Sequence, residues 1–271
     1  MAGNKEAETG IIRETHSLME ALGLILPVQV SLVGGGGKTS LMFALAAEAA
    51  QTGYRVISTT TTRIFRPSEE QSTCVVLEMD GQKLAERVGE ELESRPHVTA
   101  ARALTEDGKL LGLLPATVDL LEKMKLADLI INEADGANRR PIKAPSITEP
   151  VIPDGTGLVV AVMGMDALGA RLDPGTAFRP ELISKVTGLV PGEIISSSAI
   201  AKLMTSSQGI IQHTPARAKI VPFINKMDRS TASAGIELAQ MILRHGHPQI
   251  SRVALGSLRD PQCPFVIIQQ V

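Results

Sequence analysis

Val28-Gln29-Val30-Ser31-Leu32-Val33-Gly34-Gly35-Gly36-Gly37-Lys38-Thr39-Ser40-Leu41-Met42-Phe43-Ala44-Leu45 is the stretch on which the fold turns. An apolar run leads into consecutive glycines, and an apolar helical pattern follows Lys38-Thr39-Ser40, so the order is strand, glycine loop, helix. Glycines allow backbone amides to converge on a phosphate without Cβ obstruction, and the helix behind them points its positive dipole end at the same anion. The expected phosphate-binding set is Gly34, Gly35, Gly36, Gly37, Lys38, Thr39 and Ser40. Lys38, expected as a solvent-facing ligand, would reach the β- and γ-phosphates, and the Thr39 hydroxyl would hold Mg2+. The spacing departs from the usual G-x-x-x-x-G-K-[ST], because Leu32 stands where the first glycine belongs; what remains is G-x-x-G-K-[ST] from Gly34 to Thr39.

Working outward, Gly53 ends the helix and Tyr54–Ser58 reads as a second strand, completing a βαβ unit. That strand runs into Thr59-Thr60-Thr61-Thr62, at the carboxyl edge where ligands bind in parallel sheets. Cys74–Met79 reads as a strand and Gly81–Ser94 as a helix. Val98–Leu104 and Lys109–Leu113 flank Glu106-Asp107-Gly108, the pattern of an antiparallel hairpin inserted near residues 98–113. After a helix at Ala116–Leu126, the apolar run Ala127–Ile131 delivers Asn132-Glu133-Ala134-Asp135-Gly136 to the same edge. There Glu133 or Asp135 could hold Mg2+ directly or through water and orient a nucleophile, with Glu133 expected closer. Arg139, Arg140 and Lys143 follow, either as a solvated loop or as a grip on an anionic substrate or a transferring phosphoryl group.

Farther on, Leu158–Met163 is a buried strand, Pro180 suits the first position of a helix, and Ser198–Thr205 is a short capped helix. The strand Ala218–Ile224 ends in Asn225-Lys226-Met227-Asp228, whose N-K-x-D spacing reads guanine in GTPases. Its aspartate accepts from the ring N1 and N2, while its lysine stem covers the ring face. The alternative is that Asn225 and Asp228 cap the turn into the helix Ala232–Arg244. Base preference is therefore open between GTP and ATP, with Asn225, Lys226 and Asp228 favouring GTP. The last strands are Ser251–Leu255 and an apolar Pro264–Ile268, expected at an edge.

Composition narrows the classes of function. The 271 residues, 44% of them hydrophobic, suffice for one large α/β domain over 1–271, with residues 1–10 expected disordered. A formal net charge of -2, no Trp and one Tyr leave neither a basic field nor stacking platforms for nucleic acid. No apolar run spans a bilayer and no leader is evident, so no membrane partner is expected and the location expected is cytoplasmic. Cys74 and Cys263 lack metal or disulfide spacing and are each expected as a buried strand residue. Oligomeric state is not readable.

With these residues assembled, the chain resembles the YqeC-like family of accessory proteins, linked to selenium-dependent molybdenum hydroxylases and often labelled selenium cofactor biosynthesis proteins. The likeness rests on Val33–Thr39, Thr59–Thr62, Glu133-Ala134-Asp135-Gly136-Ala137, Pro141-Ile142-Lys143-Ala144-Pro145, Glu149-Pro150-Val151-Ile152-Pro153 and Asn225-Lys226-Met227-Asp228. It departs from the family pattern at Phe178-Arg179, where a histidine would precede the arginine. The resemblance implies a nucleotide-binding protein in maturation of a molybdenum hydroxylase, with the apo-hydroxylase or its cofactor as partner. The short glycine loop with a later glutamate is also similar to the Mur and folylpolyglutamate ligases, in which the residue matching Glu133 binds Mg2+; their extra substrate domains have no room in a chain of this length.

The sequence thus predicts a three-layer α/β fold of P-loop NTPase type, a mostly parallel sheet with an inserted antiparallel hairpin. The activity expected is NTP hydrolysis or phosphoryl transfer, with Lys38, Glu133, Asp135, Arg139 and Lys143 as catalytic residues and Thr39, Glu133 and Asp135 around Mg2+. A nucleotide-gated cofactor chaperone, a small-molecule kinase and an ATP-dependent ligase are the alternatives.

Overall fold

The computed structural model describes residues 10–260 and 262–270. In chain order the elements are β1 (Ile11–Thr15), α1 (Leu18–Leu22), β2 (Val28–Gly34), α2 (Lys38–Gln51), β3 (Val56–Thr60), β4 (Arg63–Phe65), β5 (Val75–Leu77), α3 (Gly81–Leu92), β6 (His97–Ala101), β7 (Ala103–Leu104) and β8 (Lys109–Leu111). There follow α4 (Pro115–Lys123), β9 (Leu129–Glu133), β10 (Ile142–Lys143), β11 (Leu158–Gly164), β12 (Ala177–Phe178), α5 (Pro180–Thr187), α6 (Ser197–Thr205), β13 (Lys219–Asn225), α7 (Ala232–Arg244), β14 (Arg252–Leu255) and β15 (Phe265–Gln269).

Ten strands form one sheet in the order β1-β15-β14-β13-β11-β2-β9-β3-β6-β5. From β14 to β5 every neighbouring pair is parallel, and only β15 is reversed, pairing antiparallel with both β14 and β1. A parallel sheet covered on both faces needs strands apolar on both sides. β11 meets that demand, with all of Leu158–Gly164 buried.

Alternation along the central strands divides the core in two layers. Val30, Leu32, Leu129, Ile131, Val160 and Val162 face α1 and α2. On the other face Ile57, Val98 and Ile130 pack on α3 and α4, while Val33, Val159, Ala161 and Met163 pack on α5, α6 and α7. The result is an α/β fold of helices, sheet and helices. Between the two clusters of that second face lies a buried polar strip of Gln29, Ser31, Asn132 and Thr156.

Register brings the strand ends to one edge. Leu32 and Thr60 lie opposite Glu133, Gly34 lies opposite Val162, and Gly164 lies opposite Asn225. The glycine loop, the acidic loop and the N-K-x-D loop therefore share the carboxyl edge.

Three expectations change. Residues 97–101 are β6, a parallel strand of the main sheet, and not an arm of the inserted hairpin. The hairpin is only β7 and β8, which join β4 in a separate three-stranded antiparallel sheet. Three apolar or small residues, Val98, Ala100 and Ala101, are fully buried there, which suits a central parallel strand better than a decorating hairpin. The carboxyl-terminal strand is also internal, because β1 pairs with its outer side and takes the edge. Finally, Cys74 and Cys263 are half-buried free thiols outside the strands. Disorder expected over residues 1–10 falls mostly on residues 1–9, outside the described residues. Among the described residues no helix is long and apolar enough to cross a membrane.

Candidate functional site

The site begins with a helix that has no side-chain cap. α2 starts at Lys38 behind Gly37, and no side chain accepts from its first turn. The first four amides of a helix lack intrahelical acceptors. Here Leu41 N donates back to Gly37 O at 2.9 Å, while among the described residues the amides of Gly37, Lys38, Thr39 and Ser40 donate to no protein acceptor. They form the anion-attracting end of the helix.

The preceding glycines are used differently from expectation. Gly34 N donates to Asp135 Oδ2 at 3.1 Å, Gly35 N to Val162 O at 2.9 Å and Gly36 N to Arg140 O at 2.9 Å, so these amides pack the loop and do not point into the free set. Close approach is what demands glycine here. At Gly36, φ is +74° and a Cβ would lie 2.1 Å from Gly164 N; at Gly37, φ is +125° and a Cβ would lie 2.5 Å from Asn225 Nδ2.

Lys38 is not solvent-facing. Its side chain is 3% exposed, and Nζ sits 2.6 Å from Gly34 O, 3.1 Å from Asp135 Oδ1 and 3.7 Å from Glu133 Oε1. Burial works to lower the lysine pKa, but the Asp135 and Glu133 carboxylates outweigh it and hold the pKa above its ordinary value. An ammonium taken out of water keeps its proton when carboxylates replace the lost hydration, which is why the chain can bury it. For Glu133 burial is the larger influence and raises its pKa, against the opposing pull of Lys38 and of the Thr39 hydrogen bond.

Thr39 Oγ1 donates to Glu133 Oε2 at 2.7 Å. Asp135 makes no such contact; it pairs instead with Lys38 and, at 3.0 Å, with Lys143. Lys143 is fully buried and also holds Gly136 O at 2.7 Å and Glu149 at 3.1 Å. Glu149 in turn pairs with Arg179, whose backbone is left-handed at φ +61°. Alternating charges thus run from the glycine loop outward through Asp135, Lys143 and Glu149 to Arg179. Sequence reasoning gave Glu149 and Arg179 no part in this chain, and no spacing signal joins residues thirty positions apart.

The remaining candidates are placed as follows. Arg139 is exposed with its guanidinium 5.2 Å from the Phe65 ring centre, and Arg140 supplies a carbonyl to the glycine loop. The hydroxyls of Thr59, Thr60 and Thr61 donate to the carbonyls of Ala100, Glu133 and Val151, which ties down strand ends and the Glu133 backbone. Asn225 Nδ2 donates to Gly36 O at 2.8 Å, joining the N-K-x-D loop to the glycine loop. Lys226 pairs with Asp166 at 2.7 Å. Asp228 Oδ1 accepts from the backbone amides and hydroxyls of Ser230 and Thr231, the turn-capping arrangement, and these bonds lower its pKa. Gly256 lies beside them, accepting from Met227 N at 3.1 Å.

Among the described residues no group of three or more His, Cys, Asp or Glu is gathered as a metal centre. Mg2+ asks less of a protein, taking one or two carboxylates with water and phosphate oxygens. The adjoining Thr39 hydroxyl and Glu133 carboxylate are hard oxygen donors that fit it.

The YqeC protein family matches residues 30–181 of the chain. Among curated proteins, Uncharacterized protein YqeC of Escherichia coli (strain K12) is 32% identical over 243 residues, covering 86% of this chain and 89% of that protein.

Proposed function

The chain belongs to the YqeC family, and we propose that it is a P-loop nucleotide-binding protein, a Mg2+-dependent NTPase that acts as a maturation factor for a selenium-dependent molybdenum hydroxylase. The observation that carries the nucleotide reading is the 2.7 Å contact of Thr39 with Glu133 at the start of a helix whose first amides are free, with the Lys38 ammonium beside the same carboxylate. A hydroxyl, a carboxylate, a lysine and a set of amides at one helix start are what a metal-bound triphosphate requires. The hydroxylase role rests on the family resemblance alone.

On this reading the amides of Gly37 to Ser40 take the β-phosphate. Lys38 leaves Gly34 O and the carboxylates to meet the γ-phosphate, and Lys143 continues to neutralise Asp135 when it does. Mg2+ held by Thr39 and Glu133 would neutralise charge developing on the phosphoryl oxygens. Arg139, exposed on the loop after Asp135, is free to turn toward the transferring group. GTP is favoured over ATP because Asn225 fixes the N-K-x-D loop against Gly36, and among the described hydrogen bonds Asp228 uses only Oδ1, leaving Oδ2 for a base edge.

Phosphate release from GTP and ATP, measured with and without Mg2+ for the wild type and Glu133→Gln, tests this reading. Mg2+-dependent turnover that Glu133→Gln removes supports it. A wild type that neither binds nor hydrolyses either nucleotide refutes it.

A further inference from the structure

We infer that Asp166 is a positioning residue for the base: it anchors the tip of Lys226, so that the lysine stem is laid out in advance for a purine ring to settle on. The inference rests on the nucleotide reading and deepens it, because nothing in the N-K-x-D spacing points to residue 166.

β11 and β13 are neighbours in the sheet, and their last residues, Gly164 and Asn225, lie opposite each other. Asp166, in the turn Met165–Ala167 after β11, and Lys226, directly after β13, therefore leave the same edge side by side. Their side chains meet, with Lys226 Nζ donating to Asp166 Oδ2 at 2.7 Å. Gly164 makes the room. Its φ of -93° suits any residue, but a Cβ there would lie 2.2 Å from Asp166 Oδ1 and 3.3 Å from Lys226 Cδ.

Lys226 is held at its other end as well. Its backbone is left-handed at φ +62°, a conformation that costs a residue other than glycine. Asn225 braces it there: its Oδ1 accepts from Lys226 N at 2.8 Å and from Leu258 N at 3.3 Å, while its Nδ2 donates to Gly36 O at 2.8 Å. The apolar stem thus runs between two fixed ends. A long side chain free at its tip gives up rotamer freedom when a ligand packs on it, and one already fixed gives up little.

Charge supplies a contrast in sign. A Cβ at Gly36 would lie 2.1 Å from Gly164 N, so the strand end that carries the Asp166 turn abuts the glycine loop. A carboxylate in this neighbourhood repels a triphosphate. Acting by its charge alone, Asp166 would weaken every polyphosphate, and its loss would tighten them all. Acting through the lysine stem, its loss weakens only a ligand that carries a base.

Calorimetric titration of Mg2+·GTP and of Mg2+·tripolyphosphate, which lacks base and ribose, tests the inference in the wild type, Asp166→Ala, Lys226→Ala and the double variant. Unfolding curves confirm that each chain is folded. The expected result is that Asp166→Ala weakens GTP about threefold to fivefold, the scale of one partly exposed ion pair, and does not weaken tripolyphosphate. In the Lys226→Ala background, Asp166→Ala brings no further loss of GTP. GTP affinity that Asp166→Ala leaves unchanged or raises would overturn the inference. So would an equal loss for both ligands, or the same loss of GTP when Lys226 is already absent. A wild type that binds GTP no better than tripolyphosphate overturns it while leaving the phosphate-loop reading intact, and a wild type that binds neither refutes both.

Discussion

Two loops at the carboxyl edge, one after β9 and one after β13, are equally conspicuous in sequence and unequal in structure. The Glu133–Gly136 loop is sunk in the protein, and its acids are paired with Lys38 and Lys143, both buried. In the Asn225–Asp228 loop Asn225 and Met227 are buried but Lys226 is partly exposed and Asp228 exposed; Asn225 Nδ2 hydrogen-bonds the glycine loop, and Asp228 closes onto its own turn. The difference teaches that a motif's contacts, and not its match to a pattern, decide how much of a site it can carry. Charges buried with partners cannot be altered without consequence, whereas the capping aspartate engages its own turn through Oδ1 alone and is open to solvent.

The largest effect that would sharpen this contrast concerns stability. Lys143→Ala removes one partner of a buried ionic network and is expected to cost about 3–5 kcal/mol, whereas Lys226→Ala breaks a pair that is 34% and 50% exposed and is expected to cost under about 1 kcal/mol. Denaturant unfolding of both variants measures it, and equal losses would break the contrast.

A smaller effect is on binding. Asp228→Asn should weaken GTP by about 1–3 kcal/mol, the cost of charge-assisted hydrogen bonds, and relax the preference toward xanthine nucleotides. If ATP displaces GTP as well as GTP does, and Asp228→Asn changes neither, the second loop is only a turn.

The smallest contrast lies in pH. Burial raises the pKa of Glu133, while hydrogen bonds from Ser230 and Thr231 lower that of Asp228. Protons compete with Mg2+ for Glu133, so on acidification Mg2+ dependence should fade at a higher pH than an ordinary glutamate would give. Base preference, resting on an aspartate that stays ionised to lower pH, should outlast it. Binding titrations across the acid range would contradict this if base preference disappeared first.

Much of the architecture was legible because its signals are local. The run Leu158–Met163 and the glycine stretch before Lys38 announce buried strands and a loop without reference to distant residues. Residues 97–101 were misread because a short apolar strand beside a turn looks alike whether it pairs with its neighbour or crosses into the main sheet. β1 went unread because its residues are mostly exposed and form a strand only through pairing with β15 at the far end of the chain. Within the site, Thr39 and Glu133 were found from their positions after a loop and a strand. The burial of Lys38 was missed because it depends on Asp135 and Glu133 folding over it from about a hundred residues away, and sequence carries no sign of which partner a lysine will find.

The central claim is that the buried Lys38 is released to a metal-bound triphosphate. It is tested most directly by titrating GTP·Mg2+ and ATP·Mg2+ into the wild type, Lys38→Ala and Lys38→Arg, with unfolding curves confirming that each variant is folded. The account predicts saturable, Mg2+-dependent binding by the wild type and none by folded Lys38→Ala, with Lys38→Arg keeping the charge but losing affinity through its different geometry. Equal nucleotide affinity in a folded Lys38→Ala chain would contradict it.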